Sequence, residues 1–225
     1  MTTAHQDFLS PGQFIDSQAA TIVAFAAAAT DGARGQIDRA LQLYLAVRDR
    51  IVYDPYLDFA NPTCYRASDV LARGRGFCVG KAALLAAASR AIGIPARVGY
   101  ADVRNHLTSR RLYELIKTDI FIWHSYAELH LDGVWVKATP AFDAALCRRA
   151  GLKPLDFDGR TDSLFQPIDP AGRRHMEYLK DRGSFADVPF ETIVADMRIH
   201  YPALIANGAL AGDFRSEVVP TIGKD

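Results

Sequence analysis

Apolar positions recur along this chain at two periods, and the switch between them divides it. Ser17 to Thr30 is an alanine-rich helical pattern. Gln36 to Ile51 carries Ile37, Leu41, Tyr44, Leu45 and Arg48 at steps of three and four, one face of an amphipathic helix. The proline of "YDPY" (Tyr53 to Tyr56) ends that helix, because it keeps the residue before it out of the helical region. A loop with "NPT" and a short helix around Ser68 to Ala72 follow. Leu84, Ala88 and Ile92 then recur at steps of four with Leu85 beside them, predicting a helix that opens at Cys78 and turns one stripe to the core. Gly93 stops it and Pro95 confirms the stop.

Beyond Pro95 the period is two. "ARVGYADV" alternates as a strand does. "FIWHSYAELHLDGVWVKAT" is two alternating runs around Asp132-Gly133, the signature of a two-residue type I′ hairpin. That turn sets the register, with Leu131 facing Val134 and Tyr126 facing Thr139. From Gly151 onward the chain reads as loop-rich, with a strand at Met176 to Lys180 and a helix near Phe190 to Ile199. Helices first and an antiparallel sheet afterwards predict an α+β fold. We read residues 1–225 as a single domain with a helical part at 1–55, a core at 56–145 and a loop-rich extension at 146–225.

Composition narrows the function without choosing it. The chain has 225 residues, 49% of them hydrophobic and 23% charged, as in ordinary soluble domains. Its 26 basic residues balance 26 acidic ones, so no electrostatic footprint points to nucleic acid or an anionic membrane. "MTTAHQDFLSPGQF" lacks a basic region before an apolar core, so no secretory signal is expected. "AATIVAFAAAAT" is too short to cross a bilayer. Cys64, Cys78 and Cys147 show no CxxC spacing, which argues against a disulfide framework or a zinc site. A reducing cytoplasm, with no metal or other cofactor, fits this composition. Oligomeric state is not written in it.

Within "GRGFCVGKAALLAAASRAIGIPAR", Cys78 falls at the first turn of its helix. Unpaired amides and the positive end of the helix dipole favour a thiolate there, and the same amides can hold an oxyanion. Arg73 and Arg75 add charge nearby, while Gly74, Gly76 and Gly80 let backbone come close. The bland alternative is a small buried cysteine. His124, in the strand run beside Trp123, is the candidate base; a histidine in a strand can equally be structural. Arg104, Asn105 and His106 end the preceding strand and could line a cleft or face solvent. Tyr53, Tyr56, Trp123 and Trp135 suit packing as well as substrate contact. Cys64 and Cys147 lack a helix start and a nearby base.

"GFCVGKAALLAAASRAIGIPARVGYADV" followed by "WHSYAELHLDGVWVKATP" resembles the transglutaminase-like superfamily of cysteine enzymes. The resemblance runs from about Ala40 to Phe142 and takes in His124, Glu128, Asp132, Gly133, Trp135 and Val136. It implies a papain-like core in which Cys78 and His124 form the catalytic pair. An acyl-thioester on Cys78 would then pass to water (an amidase or peptidase) or to an amine (a transglutaminase or acyltransferase). The substrate would be a peptide, a protein or a small acyl compound. The pattern departs at one place: the family's acid before a proline is here Thr139, before Pro140. Asp143 is taken as the group that orients His124. Thr139 could do so more weakly, the pair could act as a dyad, or Asp143 could simply cap the segment "AALCRRAG". A module that keeps the fold without catalysis is the alternative of another class.

Overall fold

The computed structural model describes residues 3–106, 108–168, 172 and 175–217. In chain order the helices are α1 (Ala20–Ala29), α2 (Gly35–Arg50), α3 (Ala67–Arg73), α4 (Cys78–Ala91), α5 (Arg110–Ile116), α6 (Ala144–Ala150), α7 (Phe190–His200), α8 (Pro202–Asn207) and α9 (Phe214–Glu217). The strands are β1 (Val52–Tyr53), β2 (Arg75–Gly76), β3 (Ala96–Asn105), β4 (Ile120–Leu131), β5 (Val134–Ala138) and β6 (Met176–Phe185). The last four form one antiparallel sheet in the order β5-β4-β3-β6. The fold is therefore α+β, with N-terminal helices on a central antiparallel sheet.

Helix α4 is the hub. It packs against β4 and β3 on one side and against α1, α2 and α3 on the other. Every residue from Cys78 to Arg90 is buried, so the expected single apolar stripe is in fact a helix enclosed all round. Its run of alanines makes that possible, because small side chains let several elements approach one axis. Gly80 shows how close the approach is: a Cβ there would stand 2.6 Å from the Cys64 carbonyl oxygen. Truncating Leu84 or Leu85, both fully buried here, would cost about 2–5 kcal/mol.

The hairpin has the register its turn dictates. Leu131 pairs with Val134 and Ala127 with Ala138, and the positive φ of Asp132 (47°) and Gly133 (90°) suits a type I′ turn. Past Gly151 the chain is more ordered than its composition suggests. β6 extends to Phe185 and pairs along β3, with Gly183 (φ 84°) at a break in its register. Helix α5, which the sequence reading omitted, starts where the Ser109 hydroxyl accepts the Leu112 N–H at 3.2 Å.

Candidate active site

Cys78 is the first residue of α4, and its sulfur lies against β4. The backbone N–H groups of Ser125, Val79 and Cys78 itself are near enough to favour its ionised form. Ser125 follows His124 in β4, so the helix start and the strand bring the thiol and the imidazole to one region. Both line one cavity of about 730 Å³, counting its mouth.

A bulge aims the imidazole. β3 and β4 pair regularly from Ala96↔Leu129 to Ala101↔His124, but the next pair is Val103↔Phe121, so β4 holds one residue more than β3 across the gap. Trp123 absorbs it with a φ of 59°, a left-handed conformation that is costly for a bulky side chain. Polar contacts hold it there. Asp102 accepts the Trp123 N–H at 3.2 Å, Asp196 accepts the indole N–H at 2.8 Å, and the Arg182 guanidinium lies over the ring at 4.5 Å. Arg182 also pairs with both carboxylates. One residue earlier, the Tyr201 hydroxyl accepts the Ile122 N–H and donates to the Ile120 carbonyl, both at 2.8 Å. None of these partners was singled out from the sequence, since a bulge leaves no local pattern.

Burial decides the protonation states. The Cys78 thiol is pushed up to about 11, because loss of water outweighs the three N–H donors. His124 is pushed down to about 4 by burial alone. This corrects the expectation of a resting thiolate. The arginines expected to favour one are engaged elsewhere: Arg73 donates to the Thr63 hydroxyl at 2.9 Å, and Arg75 pairs with Asp54 at 3.2 Å. Burial thus favours a neutral thiol and a neutral imidazole in the same cavity. The imidazole ring lies 6.0 Å from Phe165 and 6.2 Å from Tyr178 between centroids. Its Nε2 is buried without a hydrogen-bond partner among the described residues.

Asp143 does not line the cavity. It is the N-cap of α6, and its carboxylate accepts the Leu146 N–H at 2.9 Å, the Tyr53 N–H at 3.2 Å and the Arg215 guanidinium at 2.8 Å. Burial opposes its charge, but these donors prevail and hold the carboxyl below its ordinary value. Of the other residues weighed, Tyr53, Trp123 and Asn105 line the cavity. Arg104 pairs with Asp119 and Glu177, His106 contacts Glu177 at 2.7 Å, and Arg97 lies over Trp135 while pairing with Glu128. Tyr56 bonds Glu217. Cys64 and Cys147 are buried, with thiols raised by burial. Sequence reading missed the cavity's far walls, Leu112 and Ile116 of α5 and Met197, Tyr201, Leu204 and Phe214 of the C-terminal helices. Ser109 ahead of the apolar spacing in "RRLYELI" was the available signal for α5.

Among the described residues, no group of three His, Cys, Asp or Glu side chains could hold a metal ion, and no helix is long and apolar enough to cross a membrane.

In the solved structures, the chain is similar to a "Putative Cysteine Protease from Cytophaga hutchinsonii", with a TM-score of 0.51 and 18% identity over 83% of this chain and 48% of that one. It is also similar to a "Putative Protease from Parabacteroides distasonis", with a TM-score of 0.40 and 18% identity over 60% of this chain and 25% of that one. The chain thus spans about half the length of the first and a quarter of the second. No curated protein matches it. The sequence model of the transglutaminase-like superfamily matches residues 23–140, over half of the 225 residues and inclusive of Cys78, His124 and the hairpin. The chain belongs to the transglutaminase-like superfamily.

Proposed function

We propose that this protein is a cysteine-dependent acyl-transfer enzyme that hydrolyses an amide or related acyl bond through a thioester on Cys78. One observation carries the reading: a thiol at a helix start lines the same cavity as the His124 imidazole. The neutral resting pair gives the mechanism its form. As Sγ attacks the acyl carbonyl, the S–C bond forms and the thiol proton passes to His124. The amides of Cys78 and its neighbours then face the developing oxyanion. Collapse breaks the bond to the leaving group, which takes the proton from the imidazolium. Water, deprotonated by His124, cleaves the thioester and restores the thiol. Cys78 and His124 act as a dyad in this scheme, and Asp143 anchors the cavity wall through Tyr53. A reducing, cytoplasmic setting suits three buried, unpaired cysteines.

Alkylation of Cys78 by iodoacetamide as a function of pH tests the pair. A base-assisted thiol reacts on a plateau that falls only as pH drops through about 4, where His124 is protonated. His124→Ala removes the plateau, slowing the reaction about a hundredfold at neutral pH. It leaves only the thiolate limb that climbs toward about 11. Coincident profiles would sink the proposal.

A further inference from the structure

The cavity beside Cys78 carries a statement about substrate that the superfamily alone does not. Its walls are apolar and come from separate parts of the chain: Phe77 before α4, Leu112 and Ile116 of α5, Met197 of α7, Leu204 of α8 and Phe214 of α9. Among the described residues no Asp, Glu, Lys or Arg lines it, and His124 is held neutral by burial. The space ends at a thiol and its walls are drawn from separate elements, so its shape is set by the fold. Such a space stabilises an apolar group that fills it, and its described lining offers no opposite charge to a carboxylate or ammonium stripped of water.

The wall on the C-terminal side is fixed by polar contacts outside the cavity. Arg215, next to Phe214, pairs with Asp143 at 2.8 Å. Glu217 pairs with Arg111 at 2.8 Å, and the Leu210 N–H donates to the Tyr56 carbonyl at 2.8 Å. The charges that hold the segment therefore stay at the rim, and the rings and aliphatic chains face inward.

Resting on the reading of Cys78 as acyl acceptor, we propose that the acyl donor carries an uncharged, apolar acyl group that fills this cavity. Specificity is then set by α5 and the C-terminal helices. The acyl carbonyl sits at Sγ and the hydrocarbon extends toward Leu112, Met197 and Phe214. In the acylation step the S–C bond forms, the thiol proton leaves through His124, and the donor's heteroatom departs with that proton.

S-phenyl thioesters of acetic, butanoic, hexanoic and adipic acids, the last as its free monoacid, separate the possibilities. Acylation of Cys78 is followed by intact mass and peptide mapping. The rate constant is expected to rise about three- to fourfold per methylene from acetyl to hexanoyl. Adipoyl, as long as hexanoyl but ending in a carboxylate, is expected to react at least about a hundredfold more slowly than hexanoyl. Met197→Trp, which fills the cavity, should flatten the series by slowing hexanoyl relative to acetyl. Rates independent of chain length, or adipoyl matching hexanoyl, would overturn the inference. Calorimetric binding of hexanamide and adipic monoamide to Cys78→Ala reads the pocket without chemistry. Selective hexanamide binding with no acylation of the wild type supports the apolar site and contradicts the acyl-transfer reading. Equal binding of the two amides, or none of either, contradicts the apolar site itself.

Discussion

Asp143 accepts the backbone N–H of Tyr53 across ninety positions of chain, at 3.2 Å, and so ties the cavity's edge to the start of α6. The same carboxylate caps α6 and pairs with Arg215 of the C-terminal wall. Asp143→Ala leaves two buried N–H groups without an acceptor and is expected to lower stability by about 2–4 kcal/mol in chemical denaturation. As an anchor, it leaves the acid midpoint of Cys78 alkylation where His124 sets it. A fall in that midpoint on substitution would instead make Asp143 the group that orients the imidazole.

Lys81, one turn along α4 from Cys78, is fully buried, and its ammonium donates to the carbonyls of Arg48 at 2.9 Å and Ile51 at 2.6 Å. Burial pushes it down to about 7, with the charges of Asp143 and Asp49 opposing the shift in part. Between that value and an unfolded value near 10.4 the unfolded chain holds one more proton, so this residue makes stability rise with pH. Below about 7 both states are protonated and the contribution is flat. Relative to Lys81→Met, wild-type unfolding free energy is expected to climb by about 1.4 kcal/mol per pH unit across that window. A difference that is constant with pH would show that the buried amine keeps its charge across that window.

Much of this was legible in the sequence because it rests on local rules. The helix at Cys78 follows from its apolar spacing and the Gly93 stop, and the β4–β5 register follows from Asp132-Gly133 alone. The juxtaposition of Cys78 and His124 in one cavity came from the order of the motifs. What was not legible depends on distant chain. The bulge at Trp123 is held by Asp102, Arg182 and Asp196, which lie far apart in sequence. The protonation states reversed because helix position favours a thiolate while enclosure by α5, α7 and α9 removes water, and only the fold reveals the enclosure. β6 was read short because Gly183 interrupts its pattern.

Asp102 holds the N–H of Trp123, the left-handed residue directly before His124 in β4. Asp102→Ala frees a strained backbone to relax, and the imidazole moves with it. We expect kcat to fall about ten- to a hundredfold with the acid midpoint of the pH profile unmoved, since burial and not the charge of Asp102 sets His124. Asp102→Asn, which keeps an acceptor for the Trp123 N–H, should recover most of the rate. Equal activity in the alanine variant would detach the bulge from catalysis.

Thr139 follows directly on β5, and His124 Nε2 is buried without a hydrogen-bond partner among the described residues. In the hairpin register Thr139 continues opposite Tyr126, on the face that carries His124. Thr139→Asp brings a carboxylate to that side of the ring, favouring the imidazolium. The acid limb of the Cys78 alkylation profile is expected to move up by about one to three units. An unmoved limb would place Thr139 out of reach of the imidazole.

The most direct test of the account is rapid-quench mass spectrometry of the protein mixed with S-phenyl hexanethioate. The account predicts one acyl group per chain on Cys78, released by hydroxylamine as a thioester is, and formed at least about a hundredfold more slowly in His124→Ala. Acylation on Cys64, Cys147 or lysine with Cys78 untouched, or an unchanged rate in His124→Ala, would contradict it.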